Sequence, residues 1–346
     1  LLVILGFAGS DQIPLYKEMW NFLQTFGWMW WALVGFILMI TAGVTSYKKA
    51  RAKLSYEQWW IVHVTTYGAV AASFMHQIDN GQMFINHPLN RAYWIALYVL
   101  VALALIIYRF GAPLWRSLRH NLVVDKVVVE GPGVVSVIMR GRNLHKLQAE
   151  GGQFFGWRFI ARGHFLLSHP YSLSAAPTEH FLRITVKDLG DHSRSLVDLK
   201  RGTRVFVEGP YGAFTAGRAT RPHVVLVGGG VGITPIRALV DEFAGGATID
   251  VIYRASREED LVLREEFDYL ANKSEGSIQI HYQVGPRKYH PMDAASLKKL
   301  VPQISDADIY MCGPEPLIAA VRRAASDLGV PKNRIHDEAF AFHSEG

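Results

Sequence analysis

Three stretches without a single Asp, Glu, Lys or Arg constrain this chain most: residues 26–46, 58–78 and 92–107. Each approaches the ~20 residues needed to cross the hydrocarbon core of a bilayer. Leu1–Ala8 reads as the tail of one more such segment, which is expected to continue before Leu1. The apolar start lacks the basic n-region and cleavage motif of a signal peptide. From about Asn121 the pattern changes to alternating strands, Gly/Pro turns and charged helices, the signature of a water-soluble module. The 346 residues are therefore expected to hold a partial helical transmembrane bundle over 1–117, followed by two soluble domains.

Basic residues orient the segments. Lys48, Lys49, Arg51 and Lys53 separate the first two charge-free stretches, and Arg109, Arg116 and Arg119 follow the last. Residues 77–90 carry no Lys or Arg. The positive-inside rule places 47–57 and everything after 109 in the cytoplasm, with 9–24 and 77–90 outside. Trp20, Trp28, Trp30, Trp31, Trp59, Trp60, Trp94 and Trp115 cluster near segment ends, as an aromatic belt does. The expected location is a multi-pass protein of the cell membrane with cytoplasmic soluble domains. The net charge of +6 then needs no nucleic-acid partner. A single cysteine excludes a disulfide framework or a Cys-ligated iron–sulfur cluster within the chain.

His63 and His76 lie inside the second charge-free stretch, where ionisable side chains are costly and usually functional. Their spacing corresponds to roughly 20 Å along a helix axis. That suits two stacked b-type haems, each taking one axial imidazole from this helix. The alternative is a histidine hydrogen-bonded to a neighbouring helix. On an ideal helix the two side chains point about 140° apart, so a shared face needs a local distortion, with Gly68 as the candidate. Partner ligands would have to come from outside these residues, since His87 falls in the outer loop and His120 at the cytoplasmic exit.

Residues 121–215 read as a small antiparallel β-barrel. Strands are expected at Val123–Val129, Gly133–Met139, Phe181–Lys187 and Arg204–Glu208, with another opening at Gly152. Further on, the apolar strand His223–Val227 runs into the glycine-rich 228-Gly-Gly-Gly-Val-Gly-Ile-Thr-Pro-235 and then a helix to Phe243. Glycines let backbone amides approach a pyrophosphate, and the helix dipole favours its charge. A strand before the loop and a helix after it supply the context such a motif needs.

With these pieces in this order, the chain resembles the ferredoxin–NADP reductase superfamily over 121–342, and over its whole length the membrane branch of ferric reductases and NADPH oxidases. His169-Pro170-Tyr171-Ser172 is similar to that branch's flavin motif. The resemblance implies an FAD domain over 118–218 and a parallel-sheet α/β NADP-binding domain over 219–346. It implies that Tyr171 stacks on the isoalloxazine, that Ser172 bonds the ring edge near N5, and that Ser174 points its hydroxyl at the flavin's polar edge. His169, beside Pro170, replaces the superfamily's arginine at the flavin pyrophosphate. Lys187, Gly190 and Ser193 resemble a second phosphate motif.

In the nucleotide domain the resemblance implies NADP binding by Gly228, Gly229, Gly230, Gly232, Thr234 and Pro235. It also implies that Cys312, in Cys312-Gly313-Pro314, borders the nicotinamide C4. Arg254, Ser256 and Arg257 follow the next strand with no acidic residue at the strand end, which favours NADPH over NADH. Glu338-Ala339-Phe340 resembles the superfamily's terminal Glu-x-Phe, whose aromatic ring shields the flavin; Phe342 competes for that role. The family activity would be electron transfer from NADPH through FAD and haem to a ferric chelate or oxygen. A haem-free, membrane-anchored flavoprotein serving a partner protein or quinone is the other class.

Overall fold

A computed structural model of the chain describes residues 2–54, 56–161 and 168–339. They form two compact units, residues 1–106 and 107–346.

The first unit is helical: α1 (Leu2–Ser10), α2 (Leu15–Thr25), α3 (Met29–Ser46), the single turn α4 (Lys48–Arg51), α5 (Tyr56–Asn80) and α6 (Pro88–Leu105). Pro88 opens α6, where a missing N–H costs nothing. Helices α3 and α5 pack antiparallel and close, because Gly35 presents no side chain: a Cβ there would lie 2.7 Å from the carbonyl oxygen of Ala69. Both ends of the pair are tied, by Trp59 Nε1 donating to Ser46 Oγ at 3.3 Å and Asn80 Nδ2 donating to the Gly27 carbonyl at 2.8 Å. The outward face of α3 carries Phe36, Ile37, Met39 and Ile40, all exposed.

Among the described residues two helical stretches are long and apolar enough to cross a bilayer, Met29–Ser46 and Pro88–His120. Helix α5 holds the second of the three stretches expected from the sequence and falls outside that pair. His63, Thr65, Thr66, Ser73, His76 and Gln77 lower its apolar character.

The second unit begins with α7 (Ala112–His120), which is seated on the strand β6 (Val205–Tyr211). Ser117 Oγ accepts from the Val207 amide at 3.0 Å, and Arg116 donates to the Gly209 carbonyl. The flavin half consists of two antiparallel sheets. One holds β1 (Val123–Gly131), β2 (Val134–Arg140) and β5 (Phe181–Lys187) in that order; the other places β3 (Phe154–Phe159) between β4 (His169–Ser172) and β6. Isolated bridges, Val123 to Arg204 and Leu173 to Ile184, join them in place of the continuous ladder of a closed barrel. Alternation along the strands sends Phe155, Trp157, Phe159, Leu182 and Ile184 inward to zero exposure.

The nucleotide half is a five-stranded parallel sheet in the order β11 (Ile335–Ala339), β10 (Asp308–Gly313), β7 (His223–Gly229), β8 (Thr248–Ala255), β9 (Ile278–Val284). It is covered by α9 (Ile233–Phe243), α10 (Arg264–Lys273), α11 (Ala294–Leu300) and α12 (Glu315–Asp327). Residues Val224–Val227 have no exposure, as expected of a strand covered on both faces. Strand order reverses between β7 and β10, so the loops after these two strands flank the crevice where such sheets bind ligands. The fully buried Asp308 fixes the connection from the flavin half. Its carboxylate accepts from the amides of Thr220 and Arg221, each at 2.8 Å, and faces His336 Nε2 at 3.2 Å.

Candidate functional site

Strand β4 sits in register with β3, with Tyr171 opposite Phe155 and His169 opposite Trp157. Trp157 Nε1 donates to the Tyr171 carbonyl at 2.8 Å, holding the backbone of the motif against the core. Ser172 is buried; Tyr171 and His169 are half-buried and Pro170 is exposed. Burial pushes the Tyr171 phenol well above its ordinary range, so it stays protonated and can donate. Its oxygen lies 3.2 Å from Nδ1 of His192, on the short helix α8 (Asp191–Arg194). The imidazoles of His192 and His169 stack with centroids 3.4 Å apart. His192 is a neighbour that the sequence motif did not identify.

Lys187 ends β5 and leads into the turn of the second phosphate motif. There Ser193 Oγ donates to the Gly190 carbonyl at 3.0 Å and accepts from the Leu189 amide at 2.8 Å. Ser174 is fully buried, and its Oγ accepts from Thr185 Oγ1 at 2.8 Å and from Arg183 Nε at 3.1 Å.

The glycine loop after β7 is a 3-10 turn, Gly230–Gly232, running directly into α9. Gly230 adopts φ +58°, a conformation that glycine reaches without penalty. At Gly232 the loop touches the end of β10: a Cβ would sit 2.7 Å from Gly313 Cα and collide with the Cys312 carbonyl. Thr234 is buried and donates to the Val231 carbonyl at 2.9 Å, and Pro235 is buried behind it. Strand pairing sets Cys312 beside Gly228 on one side and Glu338 on the other. Burial, with the Glu338 and Asp337 carboxylates nearby, pushes the Cys312 thiol up, so it stays neutral. Burial and Asp337 likewise raise Glu338, so that this carboxyl holds its proton to a higher pH than an exposed one. Pro314 caps α12 beside the loop. Phe340 and Phe342 lie outside the described residues.

A cleft of about 420 Å³ runs from Gly229–Val231 and Pro314 to Arg254, Ser256 and Arg287. Pro132, Val134 and Lys187 of the flavin half also line it, opposite the nucleotide loop. In the N-terminal unit His63 is exposed and stacks on Trp59, with centroids 4.9 Å apart. His76 is half-buried, with Nδ1 3.2 Å from Asn80 Nδ2. The one further histidine in that unit, His87, caps α6.

A buried aromatic strand and a glycine-loop crevice in one unit define a flavin-dependent NAD(P)H oxidoreductase. Known proteins agree. Residues 1–74 match the ferric reductase like transmembrane component, 120–215 an FAD-binding domain, and 226–323 the oxidoreductase NAD-binding domain. The chain is 31% identical to an NADH-cytochrome b5 reductase 1 of Pyricularia oryzae over 244 residues, which is 65% of this chain and 77% of that protein. It is 32% identical to a flavohemoprotein of Bacillus subtilis over 241 residues, 65% of this chain but 60% of the relative. The FAD/NAD-binding domain of a nitric oxide dioxygenase from Vibrio cholerae superposes with TM-score 0.53 at 26% identity, covering 64% of this chain and 99% of that one. The chain belongs to the ferric-reductase-like branch of the ferredoxin–NADP reductase superfamily.

Proposed function

We propose that the chain is a membrane NADPH:acceptor oxidoreductase. It uses FAD and b-type haem to move electrons from the cytoplasm to a ferric chelate or to oxygen on the outer face. One observation carries this reading: a unit with a flavin and nicotinamide crevice is joined to a helical unit whose α5 bears two imidazoles, His63 and His76, on an otherwise uncharged stretch. The exposed apolar faces of α3 and α6 support a lipid surrounding.

When bound, FAD accepts a hydride from reduced nicotinamide and releases electrons singly, as a haem requires. The chain's own residues position and shield. Tyr171 offers its ring to the isoalloxazine and Ser172 its hydroxyl to the ring edge, while His169, Pro170, Lys187, Gly190 and Ser193 face the pyrophosphate. Gly228–Pro235 receive the nucleotide pyrophosphate on the N-terminus of α9. Cys312, Gly313 and Pro314 close the nicotinamide end.

If haem is bound, each α5 histidine would supply one imidazole nitrogen to an iron, and a second ligand would come from outside the described residues. At His76, Asn80 Nδ2 lies 3.2 Å from Nδ1 and also donates to the Gly27 carbonyl, so one carboxamide steadies the ring. The exposure of His63, stacked on Trp59 at the helix surface, favours a second reading, a haem-free anchored flavoprotein that serves a partner protein or quinone.

A dithionite-reduced minus oxidised spectrum of the detergent-purified protein separates the two, with His63→Ala and His76→Ala alongside. Sharp b-type bands weakened by each substitution support haem ligation. A flavin spectrum without such bands, unchanged by either variant, removes the haem reading.

A further inference from the structure

We infer that Arg287, in the loop after β9, is the residue that reads the 2′-phosphate of the nucleotide and so selects NADPH over NADH. The inference rests on the nicotinamide reading above and names the selector within that site. In a parallel sheet of this kind the pyrophosphate lies at the loop after the first strand, and the adenosine ribose reaches toward the ends of the strands beside it. Here those ends belong to β8 and β9, and the cleft that begins at Gly229–Val231 finishes at Arg254, Ser256 and Arg287.

The two arginines at the end of β8, Arg254 within the strand and Arg257 just beyond it, are already engaged. Arg254 Nη1 donates to the carbonyls of Ala255 and, at 2.8 Å, Gln283, and Nη2 donates to that of Gly285. Its guanidinium thus staples the ends of β8 and β9 together and shapes the wall on which the loop 285–290 rests. Arg257 faces two carboxylates, Glu259 and, at 3.4 Å, Asp260. The same contacts pair one oxygen each of Glu259 and Asp260, the acidic residues of this cleft.

Arg287 differs from both. Its side chain is exposed at the cleft, and its guanidinium has no hydrogen bond or ion pair among the described residues. It lies close enough to Arg254 that, after burial, its charge is the second cause lowering the Arg254 pKa. Two guanidinium groups directed at one cleft end, one spent on carbonyls and one uncommitted, make a site for a dianionic phosphomonoester. His290 borders the same end. Its Nδ1 sits 2.9 Å from Gln283 Oε1, which orients the ring and leaves Nε2 on the side of Gly285.

The test uses the full-length protein in detergent and reads flavin reduction by NADPH and by NADH with ferricyanide as acceptor. Calorimetry adds the binding of 2′,5′-ADP against 5′-AMP, independent of turnover. Arg287→Ala is expected to raise the KM for NADPH by about 10- to 100-fold, leave kcat within about twofold and leave NADH kinetics unchanged. It should weaken 2′,5′-ADP by the same factor and 5′-AMP not at all, while Arg287→Lys recovers part of the loss. Equal weakening of both nucleotides would overturn the assignment, as would a wild-type protein that prefers NADH. A shift from Arg257→Ala as large as that from Arg287→Ala would do the same. Flavin that neither nucleotide reduces, together with no binding of either adenine nucleotide, would overturn the nicotinamide reading itself. Discrimination between the adenine nucleotides without turnover would preserve the selector.

Discussion

Arg183 on β5 grips Glu266 on α10, with Nη2 2.9 Å from Oε2, so one ion pair links the flavin half to the nucleotide half. Arg237 of α9 reaches the same carboxylate at 2.9 Å, and Arg183 also donates to the Ser174 carbonyl at 2.6 Å. Burial alone would raise the Glu266 pKa, but the two arginines outweigh it and hold the carboxyl below its ordinary value. Replacing Glu266 by Gln leaves the largely buried Arg183 guanidinium without its counter-charge and Arg237 with Asp241 alone. The expected cost is about 2–4 kcal/mol, at the lower end for a carboxylate that keeps some solvent contact. A melting temperature lowered by roughly 5–10 °C in detergent would show it. An unchanged melting temperature would mean that the pair contributes nothing to stability.

Asp250 offers a test in pH. Burial opposes its ionisation, yet hydrogen bonds from His223 at 2.8 Å and His281 at 2.7 Å bring it down from 3.8 to about 2. A carboxyl held below its unfolded value stabilises the native state above about pH 4 and loses that contribution as pH falls toward 2. The contribution is about 2 kcal/mol. Asp250→Asn should make the fall in stability between pH 5 and pH 2.5 shallower in urea titrations, Glu266 supplying a further part of it. An equally steep acid limb in the variant would place the titrating group elsewhere.

Gly232 has no room for a methyl group, because Gly313 and the Cys312 carbonyl occupy the space. Gly232→Ala should displace the loop from the end of β10 and slow NADPH-driven flavin reduction by more than about 100-fold. Bound FAD per protein, measured after heat release, should stay at the wild-type level. Loss of FAD together with the rate would show that the substitution unfolds the unit.

Tyr171 separates ring from hydroxyl. Tyr171→Phe removes the contact to His192 but keeps the aromatic face, and FAD affinity should fall by no more than about threefold. Tyr171→Ala removes the face and should weaken FAD by about 10- to 100-fold in fluorescence titrations. Equal losses in the two variants would assign the binding to the hydroxyl.

The parts of this chain visible in its sequence are those set by backbone chemistry. The glycine loop between an apolar strand and an amphipathic helix is legible because Gly230 and Gly232 serve local needs of conformation and clearance. The strands of the flavin half are legible from alternation, but the sheets join through isolated bridges, and no local pattern encodes how two sheets meet. Ser174 shows why side-chain roles are harder. Its motif shows a hydroxyl, and the fold alone shows that Arg183 and Thr185 donate to it, the former bound in turn to a carboxylate 83 positions away. Arg254 makes the same point: residue type declares a charge, and only the fold reveals that backbone carbonyls already occupy it.

The lone thiol of the chain is enclosed at the end of β10, with no exposure and a pKa pushed upward. A thiol kept neutral and out of solvent reacts slowly with maleimides and disulfide reagents. The wild-type protein is thus a silent background for chemical labelling. A spin label or fluorophore attached through one introduced surface cysteine would report from that position alone, and the motions of either unit during turnover could be followed without first stripping the chain of its native sulfhydryl.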